Sequence, residues 1–159
     1  MDIGSKSEYP ASALSNFAPH QFTIDGVQCN SMEGFLQSLK FKNPEMQKTV
    51  CQLVGMKAKM KGYHKTWWKT QTLYWLGQEV KRDSEEYQRL LDRAYAELAK
   101  NVSFKRALLS TGDSSITHSI GKRDPHKTVL TQTEFCSRLL KLRSQLKKKD
   151  NGRIASSDF

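Results

Sequence analysis

The chain has 159 residues, 37% of them hydrophobic, and a formal net charge of +10; this fits one domain with a sizeable core and favours a polyanionic partner, either nucleic acid or a phosphate-bearing substrate. Three cysteines, at positions 29, 51 and 136 with no Cys-x-x-Cys pair, argue against a disulfide framework or a zinc site and for reduced thiols in a cytoplasmic protein. No apolar run approaches the roughly 20 residues of a membrane helix, and the first residues lack the basic segment and apolar run of a signal peptide.

Residues 1–10 read as a loose lead-in, and Ser15-Asn16-Phe17-Ala18-Pro19 is a loop signal because Pro19 biases Ala18 away from helix. Phe22-Thr23-Ile24 and Val27-Gln28-Cys29 flank Asp25-Gly26, a strong hairpin signal. An amphipathic helix is expected over 30–42. Its apolar face is Met32, Phe35, Leu36 and Leu39. Glu33, Gln37 and Lys40 form a second, polar stripe, which is either a solvated face or one wall of a pocket. Asn30 is the expected cap, with Glu33 at N3 completing a capping box. In that position the carboxylate would stay an anion, held by backbone N–H groups and the helix dipole.

Asn43-Pro44 starts a further helix with an expected buried stripe of Met46, Val50, Leu53 and Val54. A basic segment from Met56 continues to Gly62. Tyr63-His64-Lys65-Thr66-Trp67-Trp68-Lys69 mixes aromatics with bases, either to stack on nucleobases or as a half-buried aromatic cluster. A second hairpin is expected about Gly77-Gln78. Asp83 is the expected cap of a long helix whose core face is Tyr87, Leu90, Leu91, Ala94, Tyr95 and Leu98. A short helix marked by Phe104, Ala107 and Leu108 closes at Thr111-Gly112-Asp113. The polar loop from Ile116 to His126 holds His118, Gly121 and Asp124, and loops between helices commonly carry sites. Thr131 and Glu134 form a capping box for the last helix, with Phe135, Leu139, Leu142 and Leu146 buried. The expected domain spans 1–147, and composition predicts a disordered basic tail over 148–159.

No Walker loop, Gly-x-Gly-x-x-Gly, His-Glu-x-x-His or Gly-x-Ser-x-Gly occurs, and no metal or other cofactor is expected. Leu14-Ser15-Asn16-Phe17-Ala18-Pro19, then Ile24-Asp25-Gly26, then Ser31-Met32-Glu33-Gly34-Phe35-Leu36-Gln37-Ser38-Leu39-Lys40-Phe41 resembles the opening of the NADAR (YbiA-like) family. Leu108-Leu109-Ser110-Thr111-Gly112-Asp113 and the loop to Asp124 agree in order, so the resemblance spans about Ser15 to Arg143. The segment Trp67 to Arg82 looks longer than in the shortest members, and the chain departs from the pattern at two further places. Thr117-His118 stands where many members carry Glu-His, and Pro125-His126-Lys127 follows Asp124 where many carry an aromatic and Trp-Gly. It reads as a divergent branch.

The resemblance implies an α+β, mainly α-helical single domain with one or two short hairpins. It also implies hydrolysis of an N-glycosidic bond at ribose, through an oxocarbenium-like state that a carboxylate can stabilise. The expected reaction removes ADP-ribose from an ADP-ribosylated guanine in DNA. The alternatives are cleavage of phosphoribosylated riboflavin-pathway intermediates, and a non-catalytic ADP-ribose or nucleic-acid binding module. On this reading Glu33 is the catalytic carboxylate and Asp124 the second candidate. Asn16, Phe17, Gln37, Lys40, Gly112, Asp113, His118 and Gly121 bind substrate, and Trp67, Trp68 or Trp75 supplies a stacking wall. The expected partner is ADP-ribosylated nucleic acid or a ribose-phosphate metabolite, with a toxin partner as a further candidate and no membrane.

Overall fold

The computed structural model describes residues 1–157, with side-chain surroundings for residues 1–152. Its helices are α1 (Ala11–Leu14), α2 (Met32–Ser38), α3 (Pro44–Cys51), α4 (Gly55–Gly62), α5 (Glu85–Leu98), α6 (Val102–Ser110) and α7 (Gln132–Ser157). Two separate antiparallel hairpins complete it: β1 (Phe22–Ile24) with β2 (Val27–Cys29), and β3 (Thr72–Trp75) with β4 (Gln78–Lys81). This is the α+β, mainly helical single domain expected. No helix among the described residues is long and apolar enough to cross a membrane.

Turn chemistry sets both hairpins. Asp25 (φ 49°) and Gly26 (φ 77°) take the paired left-handed conformations of a tight two-residue turn. The second turn lies at Leu76-Gly77 (φ 48° and 87°), one residue earlier than expected, so Gln78 belongs to the strand. The buried Gln47 holds Leu76 there. Its Oε1 accepts from Leu76 N at 2.9 Å, and its Nε2 donates to Ser38 O and Tyr74 O at 3.1 and 2.7 Å. One amide thus satisfies three backbone groups from three elements. The expected stripe of α3 is corrected accordingly. Gln47, Val50 and Cys51 are buried, while Met46 is exposed.

The start of α2 also differs from expectation by one residue. Ser31 is the cap, accepting from Gly34 N at 3.0 Å and donating to Leu53 O at 2.8 Å. Asn30 turns away and donates to Gln52 O. Glu33 therefore makes no capping box. At Gly34, an added Cβ would lie 2.6 Å from Leu53 O, so glycine is what lets α2 approach the end of α3. The same one-residue shift recurs at α5, which Ser84 caps through Tyr87 N in place of Asp83. Its six expected core residues are all buried.

The α7 capping box forms as expected: Thr131 Oγ1 accepts from Glu134 N at 3.1 Å, and Glu134 Oε1 accepts from Thr131 N at 2.8 Å. Glu134 also receives a two-pronged contact from the buried Arg82, at 3.1 and 2.6 Å. Arg82 Nε donates to Thr128 O at 2.8 Å, and its guanidinium lies over the Tyr87 ring. This pair ties β4 and α5 to the loop that precedes α7. Where composition predicts a tail from residue 148, α7 continues to Ser157, in keeping with the good helix propensity of lysine. Positions 158 and 159 of that tail lie outside the described residues.

Candidate active site

A cavity of about 960 Å³ opens beside α2. Its walls come from four places: the Asp2–Ser7 segment with the Ser15–Phe17 loop, the polar face of α2, α4 with the 3₁₀ turn Trp67–Lys69, and the loop from His118 to Leu130. Nine expected residues meet there: Asn16, Phe17, Glu33, Gln37, Lys40, Trp67, Trp68, His118 and Gly121. The polar stripe of α2 is therefore a pocket wall.

Glu33 is half-buried on the second position of α2. Its backbone N donates to Asn16 O at 2.9 Å, fixing the Asn16–Phe17 loop against the helix start. Its Oε1 accepts from Gln37 Nε2 at 2.9 Å. Burial pushes the Glu33 carboxyl above the ordinary glutamate value, because leaving water penalises the anion. The Gln37 hydrogen bond and the charges of Lys40, Lys59 and His118 oppose that rise only in part. This corrects the expectation of a carboxylate held by backbone N–H groups, since the cap is Ser31. Lys40 moves the other way: burial lowers its pKa, Glu33 pulls it back up, and Lys122 and Lys59 lower it further.

Gln37 is buried, with Nε2 committed to Glu33 and Oε1 without a partner among the described residues. That oxygen packs against Gly62 of α4, where an added Cβ would stand 1.9 Å from it and 3.2 Å from Lys40 Cδ. Alanine favours a helix over glycine by about 0.5–1 kcal/mol. Gly62→Ala is nevertheless expected to destabilise by about 1–3 kcal/mol through overpacking, because the Gln37 amide must shift and release Glu33. Thermal unfolding of the variant checks the sign, and a gain in Tm would contradict this packing.

Across the cavity, His118 Nδ1 lies 2.8 Å from Ile3 O. A carbonyl can only accept, so Nδ1 carries hydrogen and Nε2 is left for the cavity. The ring stands edge-on to Phe135. An added Cβ on Gly121 would lie 2.5 Å from His118 Cδ2. The His118 loop is held by the Asp2–Ile3 segment: Ile3 N donates to Thr117 O, Thr117 N to Met1 O, and Ser119 N to Asp2 Oδ1. Asn16 Oδ1 accepts from Tyr95 O–H at 2.8 Å, which anchors the remaining wall to the core.

Four expected site residues are not brought to the cavity. Asp124 is exposed, and its Oδ1 accepts from His126 N at 2.9 Å; the Asp124-Pro125-His126 turn satisfies it. Trp75 is buried edge-on to Phe35 and donates Nε1–H to Asp25 at 2.8 Å, so its ring is core. Gly112 takes φ 61° in the turn after α6, and exposed Asp113 pairs with Lys147. Several contributors lie beyond the residues singled out as site candidates from the sequence. The Asp2–Ser7 wall arrives through pairing more than a hundred positions away, and Lys6, Lys59, Lys65, Lys122 and Lys127 join Lys40 to make six lysines around the space. The carboxylates that line it are Glu33 and Asp2, and Asp2 is tied to Ser119 and Thr117.

The family model for Bacteriophage protein GP30.3 matches residues 8–144. A 17.1 kDa protein from the Gp30–rIII intergenic region of Enterobacteria phage T4 is 37% identical over 151 residues, covering 92% of this chain and 98% of that protein. The NMR structure of the E. coli protein YbiA superposes with a TM-score of 0.61 at 17% identity, covering 94% of this chain and 86% of that chain, and shares the fold. By the extent of the family match and the identity to the phage T4 protein, the chain belongs to the Bacteriophage protein GP30.3 family.

Proposed function

We propose that this protein is a hydrolase that cleaves an N-glycosidic bond at ribose, removing ADP-ribose from an ADP-ribosylated guanine in DNA. The observation that carries the reading is one half-buried carboxylate, Glu33, in a wall surrounded by six lysines. A site that must hold a diphosphate and stabilise a cationic sugar needs both parts. The YbiA-like fold and the sequence resemblance to NADAR proteins support the same chemistry.

In this reading the lysines hold the diphosphate, and Phe17 and Trp67 flank the ring systems. Glu33 faces the anomeric carbon. As the bond to the base lengthens, positive charge spreads over C1 and the ring oxygen, and the poorly solvated Glu33 anion stabilises it more strongly than an exposed carboxylate would. The raised basicity of Glu33 suits it to take a proton from the water that attacks C1. Asp124 lies outside the cavity, so the two-carboxylate arrangement common to glycosidases is not assembled. His118, carrying hydrogen on both ring nitrogens at the start of the step, keeps Nδ1–H on Ile3 O and hands its Nε2 proton to the departing base, ending as the neutral Nδ1–H ring.

The test offers the protein an ADP-ribosylated guanine oligonucleotide and, separately, a phosphoribosylated pyrimidine intermediate of the riboflavin type. Release from the first and not the second is the expected result. Release from the second alone makes the protein a metabolite N-glycosidase, and tight binding of ADP-ribose with neither released makes it a binding module.

A further inference from the structure

We propose that α4 and the 3₁₀ turn form a docking ledge for single-stranded nucleic acid, along which the strand runs while its modified base enters the cavity. The inference deepens the proposed function and rests on it for the identity of the base. Residues 53–78 carry Lys57, Lys59, Lys61, Lys65 and Lys69 and no Asp or Glu. Such an uncompensated run complements a phosphate backbone.

The aromatics of this stretch divide into two sets. Trp67 and Trp75 are buried, whereas Tyr63 and Trp68 are 64% and 53% exposed at the cavity rim. Lys69 Nζ sits 5.7 Å from the Trp68 ring centre, so a ring and a cation are presented together. Exposed ring faces beside ammonium groups match alternating bases and phosphates. Lys6, Lys122 and Lys127 stand on the other walls of the same cavity. Positive groups on several sides repel one another across the opening, a cost that a polyanion lying between them removes. A duplex hides its base faces from Tyr63 and Trp68, and a base must leave the stack before chemistry can reach it. Both points select the single strand.

The probe is an unmodified fluorescein-labelled deoxyoligonucleotide of about 12 nucleotides, within the usual span of a single-strand groove, followed by anisotropy at several salt concentrations. Wild-type protein binds it more tightly than the matching duplex. Tyr63→Ala with Trp68→Ala weakens binding about tenfold or more, as expected for lost stacking on one or two bases. Lys65→Glu with Lys69→Glu weakens it and flattens the salt dependence. All four side chains are exposed, and thermal unfolding checks that both variants remain folded. Wild-type affinity in the variants, equal affinity for duplex, or displacement by polyglutamate as effective as by oligonucleotide would overturn the proposal. ADP-ribose release without oligonucleotide binding also overturns it but leaves the hydrolase reading intact. Ledge-dependent binding without release supports the ledge and removes the hydrolase.

Discussion

Glu33→Gln is expected to lower ADP-ribose release by about 10²–10⁴-fold, the usual worth of a positioned acid–base group, and to raise the melting temperature near neutral pH. The two effects share one cause. On the proposed mechanism the cavity makes the Glu33 anion reactive, and the same burial desolvates it, so its folded pKa lies above the ordinary value of 4.5. Below that value both folded and unfolded chains hold the proton, and Glu33 costs nothing. As pH rises through the raised folded value, the unfolded chain ionises more readily and stability is lost. The glutamine amide keeps the shape and has no charge to bury. The stability difference between variant and wild type should therefore grow from acid to neutral pH. Calorimetry at a series of pH values checks this beside the activity assay. A variant less stable than wild type at neutral pH would mean that Glu33 serves the helix start, not the reaction.

Arg82→Met is the change expected to harm the fold most, by about 3–5 kcal/mol, because it leaves the half-buried Glu134 without its one cationic partner among the described residues. Burial by itself would raise the Glu134 pKa, but hydrogen bonds from Arg82, Gln88 and Thr131 hold it below the ordinary value. That contribution is present above the ordinary range and disappears as pH falls through the lowered value. At about 2–4 °C per kcal/mol for a domain of this size, the melting temperature should drop by about 10 °C. Arg82→Met with Glu134→Leu should recover part of the loss, since an apolar pair leaves no bare charge. Thermal unfolding of both variants decides. Arg82 also holds Thr128 O, so the single variant should loosen the cavity wall at Thr128–Leu130 and weaken substrate binding along with stability.

What was legible in the sequence is what short-range physics determines. The α5 face, the Asp25-Gly26 turn and the Thr131–Glu134 box all follow from spacing and turn chemistry. The errors at the starts of α2 and α5 and at the second turn are each one residue long, while α2 ends at Ser38, short of the expected residue 42. In each, neighbouring residues of similar local aptitude competed, and at α2 and the second turn a distant group chose between them. Leu53 O engages Ser31 at α2, and Gln47 engages Leu76 at the second turn. The Glu33–Gln37–Lys40 stripe was legible as a pattern, but its electrostatic state was not. Burial under α4 and the His118 loop decides that state, and no local spacing encodes it. Asp124 and Trp75 are chemically apt for a site, yet one is satisfied within its own turn and the other is packed in the core. Conversely, Gly62 and the Asp2–Ser7 wall look unremarkable in the chain and become informative only through contacts with Gln37, His118 and Ser119.

The most direct measurement is chromatography and mass analysis of an oligonucleotide carrying one ADP-ribosylated guanine after incubation with the wild-type protein. The expected products are free ADP-ribose and a full-length oligonucleotide with its guanine restored. An unchanged oligonucleotide, or one that has lost the guanine and kept an abasic site, would contradict cleavage at the ADP-ribose glycosidic bond.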